Sequence, residues 1–134
     1  MILWSHSDTM SKPSWFTPWS FIHFFTGFIL FIIIKIIFPK ITLVDNFLIV
    51  MCIHTIYEIK DMCYAYIHHN GSKWTNNSFI NSIGDTICAA FGFIVGYIAL
   101  NNASNSTIIL MMLLYVISVI YYANDSLNEK KNLD

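Results

Sequence analysis

Four stretches of this chain approach the length and apolarity that a bilayer-crossing helix requires, and this limits the fold more than anything else in the sequence. Crossing about 30 Å of hydrocarbon at about 1.5 Å per residue takes about 20 mostly apolar residues. The stretches run over about 19–38, 44–67, 79–100 and 107–123. Pro39-Lys40 ends the first. A Gly-, Asn- and Ser-containing segment at 68–77 separates the second and third, and a short polar turn at 101–106 separates the third and fourth. Short connections make sequential helices antiparallel neighbours. The expected fold is therefore all-α: an integral membrane bundle of about four transmembrane helices, up-down-up-down. An interfacial N-terminal segment (1–18) precedes the transmembrane domain (19–123), and a polar C-terminal tail (124–134) follows it.

Composition agrees. Only 11% of residues are charged against 56% hydrophobic, where a soluble domain carries about twice that charged share. Net charge is −1, so no basic excess points to nucleic acid. All seven cations are lysines, which removes the bidentate guanidinium clamp for phosphate or carboxylate. Cys52, Cys63 and Cys88 lie in apolar stretches without a CxxC, as small buried hydrophobes do. The first apolar run follows Asp8, Lys12, Pro13 and Pro18 rather than a short basic region, so it reads as a retained span.

Orientation follows from the lysines. Both termini and the 68–77 loop fall on one side with Lys12, Lys73, Lys130 and Lys131, and Lys35 and Lys40 fall on the other. The positive-inside rule then places the termini in the cytoplasm. Trp15, Trp19, Tyr66, Trp74, Tyr121 and Tyr122 gather on the terminal side, where amphipathic rings favour the interface.

Polar residues inside the spans carry the functional signal. In the second, His54, Glu58 and Asp61 stand at i, i+4 and i+7 on one helical face. In the third, Asn81 and Asp85 share a face, and the first carries His23 near its start. With alternating helices, His23, Glu58, Asp61, Asn81 and Asp85 lie at similar depth in the terminal-side half, and His54 lies nearer the middle. Ionisable groups in hydrocarbon cost about 2.5–3.5 kcal/mol each, so they turn inward or line a wet cavity. Two neighbouring carboxylates need a shared proton or an intervening cation. Lys60 lies off that face and is expected to snorkel outward. The plainer alternatives are headgroup-solvated Glu58 and Asp61, hydrogen-bonded core histidines, and Asn81 as a helix cap.

Gly84, Cys88, Gly92 and Gly96 recur every fourth residue, a stripe that lets another backbone approach closely. It fits either packing within this bundle or a homo-oligomer face. Tyr115, Ser118 and Tyr122 share one face of the fourth span, suited to ordinary packing.

These residues resemble a family. His23 with Gly27, Tyr57-Glu58 with Asp61, and Asn81-x3-Asp85 followed by Ala90-x-Gly92 resemble the YjdF-type small bacterial membrane proteins, with Asp61 and Asn81 standing where that pattern has Glu and Asp. The VanZ-type membrane proteins show a similar layout, except that here the Asn precedes the Asp. The resemblance covers about residues 20–96 and implies a multi-spanning protein whose intramembrane His and acids matter. It implies no reaction.

No Walker loop, GxGxxG, GxSxG, His-rich di-iron boxes or TVGYG filter occurs. Four spans are few for an inverted-repeat transporter. The expected function is an intramembrane His/Glu/Asp site for a cation, a proton or a lipid headgroup. A divalent metal would draw on Glu58, Asp61, Asp85 and His54. A structural or accessory membrane subunit and a small lipid-modifying enzyme stay open beside it. The lipid bilayer is the expected partner.

Overall fold

The computed structural model describes residues 2–5, 13–67, 78–102 and 105–131. The 68–77 loop, Lys12, part of the 101–106 turn and residues 132–134 lie outside them, as do the side chains of Tyr66 and Tyr122. Among the described residues are two short strands, β1 (Ile2–Trp4) and β2 (Ser14–Phe16), and four helices. The helices are α1 (Pro18–Ile37), α2 (Leu43–Ile67), α3 (Phe79–Asn102) and α4 (Asn105–Lys131). The four helices form where the four apolar stretches lie. Two of them, α1 and α3, are long and apolar enough to cross a membrane. The apolar part of α4 is the shorter Ile108–Tyr121, and α2 carries Asp45, Glu58, Lys60 and Asp61.

The helix ends follow local chemistry. Pro18, with its fixed φ, opens α1, while Thr17 stays extended and its N–H donates to Ser20 Oγ at 3.0 Å. At the other end Phe38 N–H donates to the Ile34 carbonyl, and Pro39 cannot continue the helix. Lys35 bends to the same end and donates to the Ile41 carbonyl at 3.1 Å. Thr42 caps α2 by accepting from Asp45 N–H at 3.1 Å, and Ser78 caps α3 by accepting from Asn81 N–H at 3.1 Å. Ser78 thus does the capping proposed for Asn81. The segment 124–131, expected as a polar tail, continues α4 to Lys131. It contains no Pro or Gly, and a helix satisfies its own backbone whether or not it is apolar.

The N-terminal segment was expected at the interface, and part of it is built into the fold. β1 and β2 pair in parallel with Ile2 opposite Ser14 and Trp4 opposite Phe16, and Ser14 and Thr17 are buried. Their backbone supplies the contacts: Asn81 Nδ2 donates to the Trp15 carbonyl at 3.3 Å.

The apolar core is small. Phe28, Phe31, Ile32, Ile34, Val50 and Phe93 form it, with Phe31 and Phe47 both meeting Phe93 edge-on. Asn46, 1% exposed, donates through Nδ2 to the Phe31 carbonyl and fixes the start of α2 on α1. Among the described residues seven apolar side chains are buried against eleven polar or charged ones, so polarity increases inward. Large apolar side chains lie outside on every helix, including Ile36, Ile56, Phe91 and Ile117.

The glycine stripe joins α3 to this chain's own segments. A Cβ at Gly92 would overlap the Phe24 carbonyl, and one at Gly84 would overlap the Trp15 carbonyl. One at Gly96 would come within 3.0 Å of the Phe31 ring. Gly27 of α1 lies in the same way on the Ala89 carbonyl. Small residues let two helix backbones meet where larger ones would hold them apart. Cys88 shares the stripe and is only half-buried.

Candidate functional site

The site forms where α1, α2 and α3 converge one turn from the Gly27–Ala89 contact. On α1, Ser20 and His23 stand three apart on one face, with Gly27 one turn further. On α2, His54 and Glu58 stand at i, i+4. On α3, Asp85 precedes Ala89 by one turn, so the close helix–helix approach at Ala89 brings its carboxylate against α1. His23 is 9% exposed, Glu58 4%, and His54 and Asp85 2% each.

His23 is the hub. Its Nδ1 shares a hydrogen bond with His54 Nε2 across 3.0 Å and lies 3.3 Å from Glu58 Oε1. Its Nε2 faces Asp85 Oδ2 at 3.5 Å, the outer edge of hydrogen-bonding distance. Asp85 in turn accepts a hydrogen bond from Ser20 Oγ through its other oxygen. Glu58 Oε1 is also 3.6 Å from His54 Nε2. One imidazole therefore connects a carboxylate on α2 to a carboxylate on α3. His54 Nδ1 is buried and has no hydrogen-bond partner among the described residues. The Tyr57 ring lies edge-on to His23, centroids 6.1 Å apart.

Charge balance states the problem the cluster must solve. Each carboxylate has an imidazole beside it: Glu58 lies against both His23 and His54, and Asp85 lies against His23. His23 Nδ1 and His54 Nε2 cannot both carry hydrogen at 3.0 Å, because two N–H groups would then face each other. The arrangement holds at most one proton between those nitrogens, or a cation that uses both lone pairs. Two acids buried without such compensation would be costly.

Of the residues singled out in the sequence, the structure brings His23, His54, Glu58 and Asp85 together. Asp61 does not join them. It lies about 4.5 Å further along α2 than Glu58, half-exposed, and pairs with the exposed Lys60 at 2.7 Å. Lys60 turns outward as expected and also lies over the Tyr57 ring. Asn81 is buried, and its side chain is committed to the Trp15 carbonyl rather than to the cluster. Ser20 was missed. Its signal is present in the sequence, three residues before His23 on the same face of an apolar helix.

No protein family, curated protein or solved structure matches this chain.

Proposed function

We propose that this chain is a multi-pass integral membrane protein that binds a cation at the buried His23/His54/Glu58 cluster. Its four helices cross in alternation, with the termini on the cytoplasmic side. One observation carries the reading: two imidazoles and two carboxylates from three helices converge in the interior while large apolar side chains cover the outside. In water the exposed apolar surface would be an aggregation liability. In lipid it is solvated, and ionisable groups are driven inward toward one another and toward a bound ion. The lysines at 12, 73, 130 and 131 against those at 35 and 40 support the orientation.

A polar cluster that only fixes helix register is the competing reading, favoured by the other buried ties, Asn46 to Phe31 and Asn81 to Trp15. The two separate in one experiment. The protein is purified from membranes in detergent, and its thermal midpoint is followed across pH in monovalent and divalent cations. A ligand at 100 times its dissociation constant stabilises the folded state by about 2.7 kcal/mol. The cation reading expects a midpoint raised by at least one ion in the parent and unmoved in Glu58→Gln. Identical midpoints in every ion would leave only the register role.

A further inference from the structure

The three inward-facing atoms carry more than a generic cation preference. His23 Nδ1, His54 Nε2 and Glu58 Oε1 form a triangle with sides of 3.0, 3.3 and 3.6 Å. A tetrahedral ion with nitrogen and oxygen ligands at about 2.0–2.1 Å sets its donors about 3.3–3.4 Å apart. The circle through the three atoms has a radius of about 1.9 Å, slightly less than one such bond. An ion at bonding distance from all three therefore sits a little out of their plane, as it does over one face of a tetrahedron. Calcium prefers six to eight oxygens at longer range and magnesium six, and neither is matched by two imidazoles and one carboxylate. Imidazole suits zinc and its neighbours in the first transition row.

The surroundings of His23 point the same way. A metal-bound histidine usually donates its second ring N–H to a carboxylate that fixes its tautomer. Here the second nitrogen, Nε2, faces Asp85, which Ser20 holds from the other side. The two ring nitrogens point in divergent directions, so Asp85 orients His23 and is not itself a ligand at the same ion. With hydrogen on Nε2, the Nδ1 lone pair is directed at the triangle.

Resting on the cation reading above, we propose that the ion is a single first-row divalent transition metal of the zinc class, held by His23 Nδ1, His54 Nε2 and Glu58 Oε1. Asp85 acts as the positioning residue. The three protein donors leave a fourth position to a water or another oxygen ligand. Of the acids available in the sequence, this selects Glu58 as ligand, gives Asp85 an orienting role and leaves Asp61 out.

The test uses the full-length protein in detergent, loaded with Zn²⁺ or Co²⁺ alone after chelation. X-ray absorption on the zinc form of the parent expects one equivalent of metal with two imidazoles and light-atom ligands at about 2.0–2.1 Å. The cobalt form expects the intense visible bands of four-coordination. His54→Gln and Glu58→Gln, checked for folding by size exclusion and circular dichroism, are expected to lose the cobalt bands. Asp85→Asn is expected to keep the bands and weaken binding about 10- to 100-fold, whereas a purely structural role would lower the thermal midpoint without moving affinity. Asp61→Asn is the control and binds as the parent does. Octahedral cobalt, or absorption without imidazole scattering, overturns this ligand set. If Na⁺ or Mg²⁺ raises the midpoint while zinc and cobalt do not bind, the metal assignment fails and the cation reading stands. If no ion binds, both fail.

Discussion

Gly27 of α1 lies directly on the backbone carbonyl of Ala89 of α3, one helical turn from the point where His23 meets Asp85. Packing and site are therefore one feature: the missing Cβ at 27 sets the helix spacing that brings the imidazole and the carboxylate together. Gly27→Val is expected to push the helices apart, costing about 1–3 kcal/mol as overpacking does, and to reduce cation binding although it touches no ligand. Thermal unfolding and cation titration of the variant measure both. An unchanged cation affinity would separate the packing from the site.

The tie between Asn81 and the Trp15 carbonyl makes a second, independent expectation. It secures β2 against the start of α3, where Gly84 also meets that carbonyl. Asn81→Ala removes the donor and leaves the carbonyl without that partner, a loss of about 1–3 kcal/mol where the group stays buried. The N-terminal segment should then become more susceptible to proteolysis, while the cation affinity stays at the parent value. Limited proteolysis followed by mass spectrometry reads the first effect. Cleavage at the parent rate would show that Asn81 does not hold the segment.

Lys60 and Asp61 pair at 2.7 Å, but their side chains are 59% and 34% exposed, so solvent screens the attraction. Lys60→Gln is expected to change stability by less than about 1 kcal/mol and to leave cation binding intact. A large loss in a thermal melt would mean that the pair is screened less than its exposure implies.

The sequence discloses the four helices, though not the two short strands, because hydropathy and helix breakers are local properties: Pro18, Pro39 and the capping Thr42 and Ser78 bracket the apolar runs. It discloses most of the cluster because ionisable residues inside apolar helices have few places to go. Asp61 shows the limit. A seven-residue spacing from His54 gives its direction around α2 but not whether a neighbouring helix reaches that depth, and Asp61 is half-exposed. Ser20 is hidden for the opposite reason, since a serine in an apolar helix is compatible with many roles. The docking of β2 on α3 works through the Trp15 carbonyl, a backbone atom that every residue possesses and no sequence pattern marks.

Removing a charge from the cluster gives a prediction whose sign depends on the ion. Glu58 and Asp85 are both buried, and each lies beside His23. Glu58→Gln removes one charge with little change in shape. In chelator its thermal midpoint is expected to match or exceed the parent's, because a buried charge has been removed. In saturating metal the order reverses, because the parent alone gains the binding energy. A variant less stable than the parent in both conditions would mark Glu58 as a purely structural partner of His23.

The geometry finally assigns a proton movement to His54. Asp85 favours hydrogen on His23 Nε2, which leaves His23 Nδ1 as acceptor. Across 3.0 Å the proton of the shared hydrogen bond then belongs to His54 Nε2. An ion that takes both facing nitrogens requires His54 Nε2 to give up that proton. The neutral ring must then carry hydrogen on Nδ1, which is buried and has no hydrogen-bond partner among the described residues. Binding should therefore switch the tautomer of His54 while leaving that of His23 unchanged. Nitrogen-15 spectra of the imidazoles with and without zinc read this directly. The expected result is one histidine exchanging its protonated nitrogen and a second keeping it. Two unchanged histidines in the zinc-bound protein would show that the ion binds elsewhere.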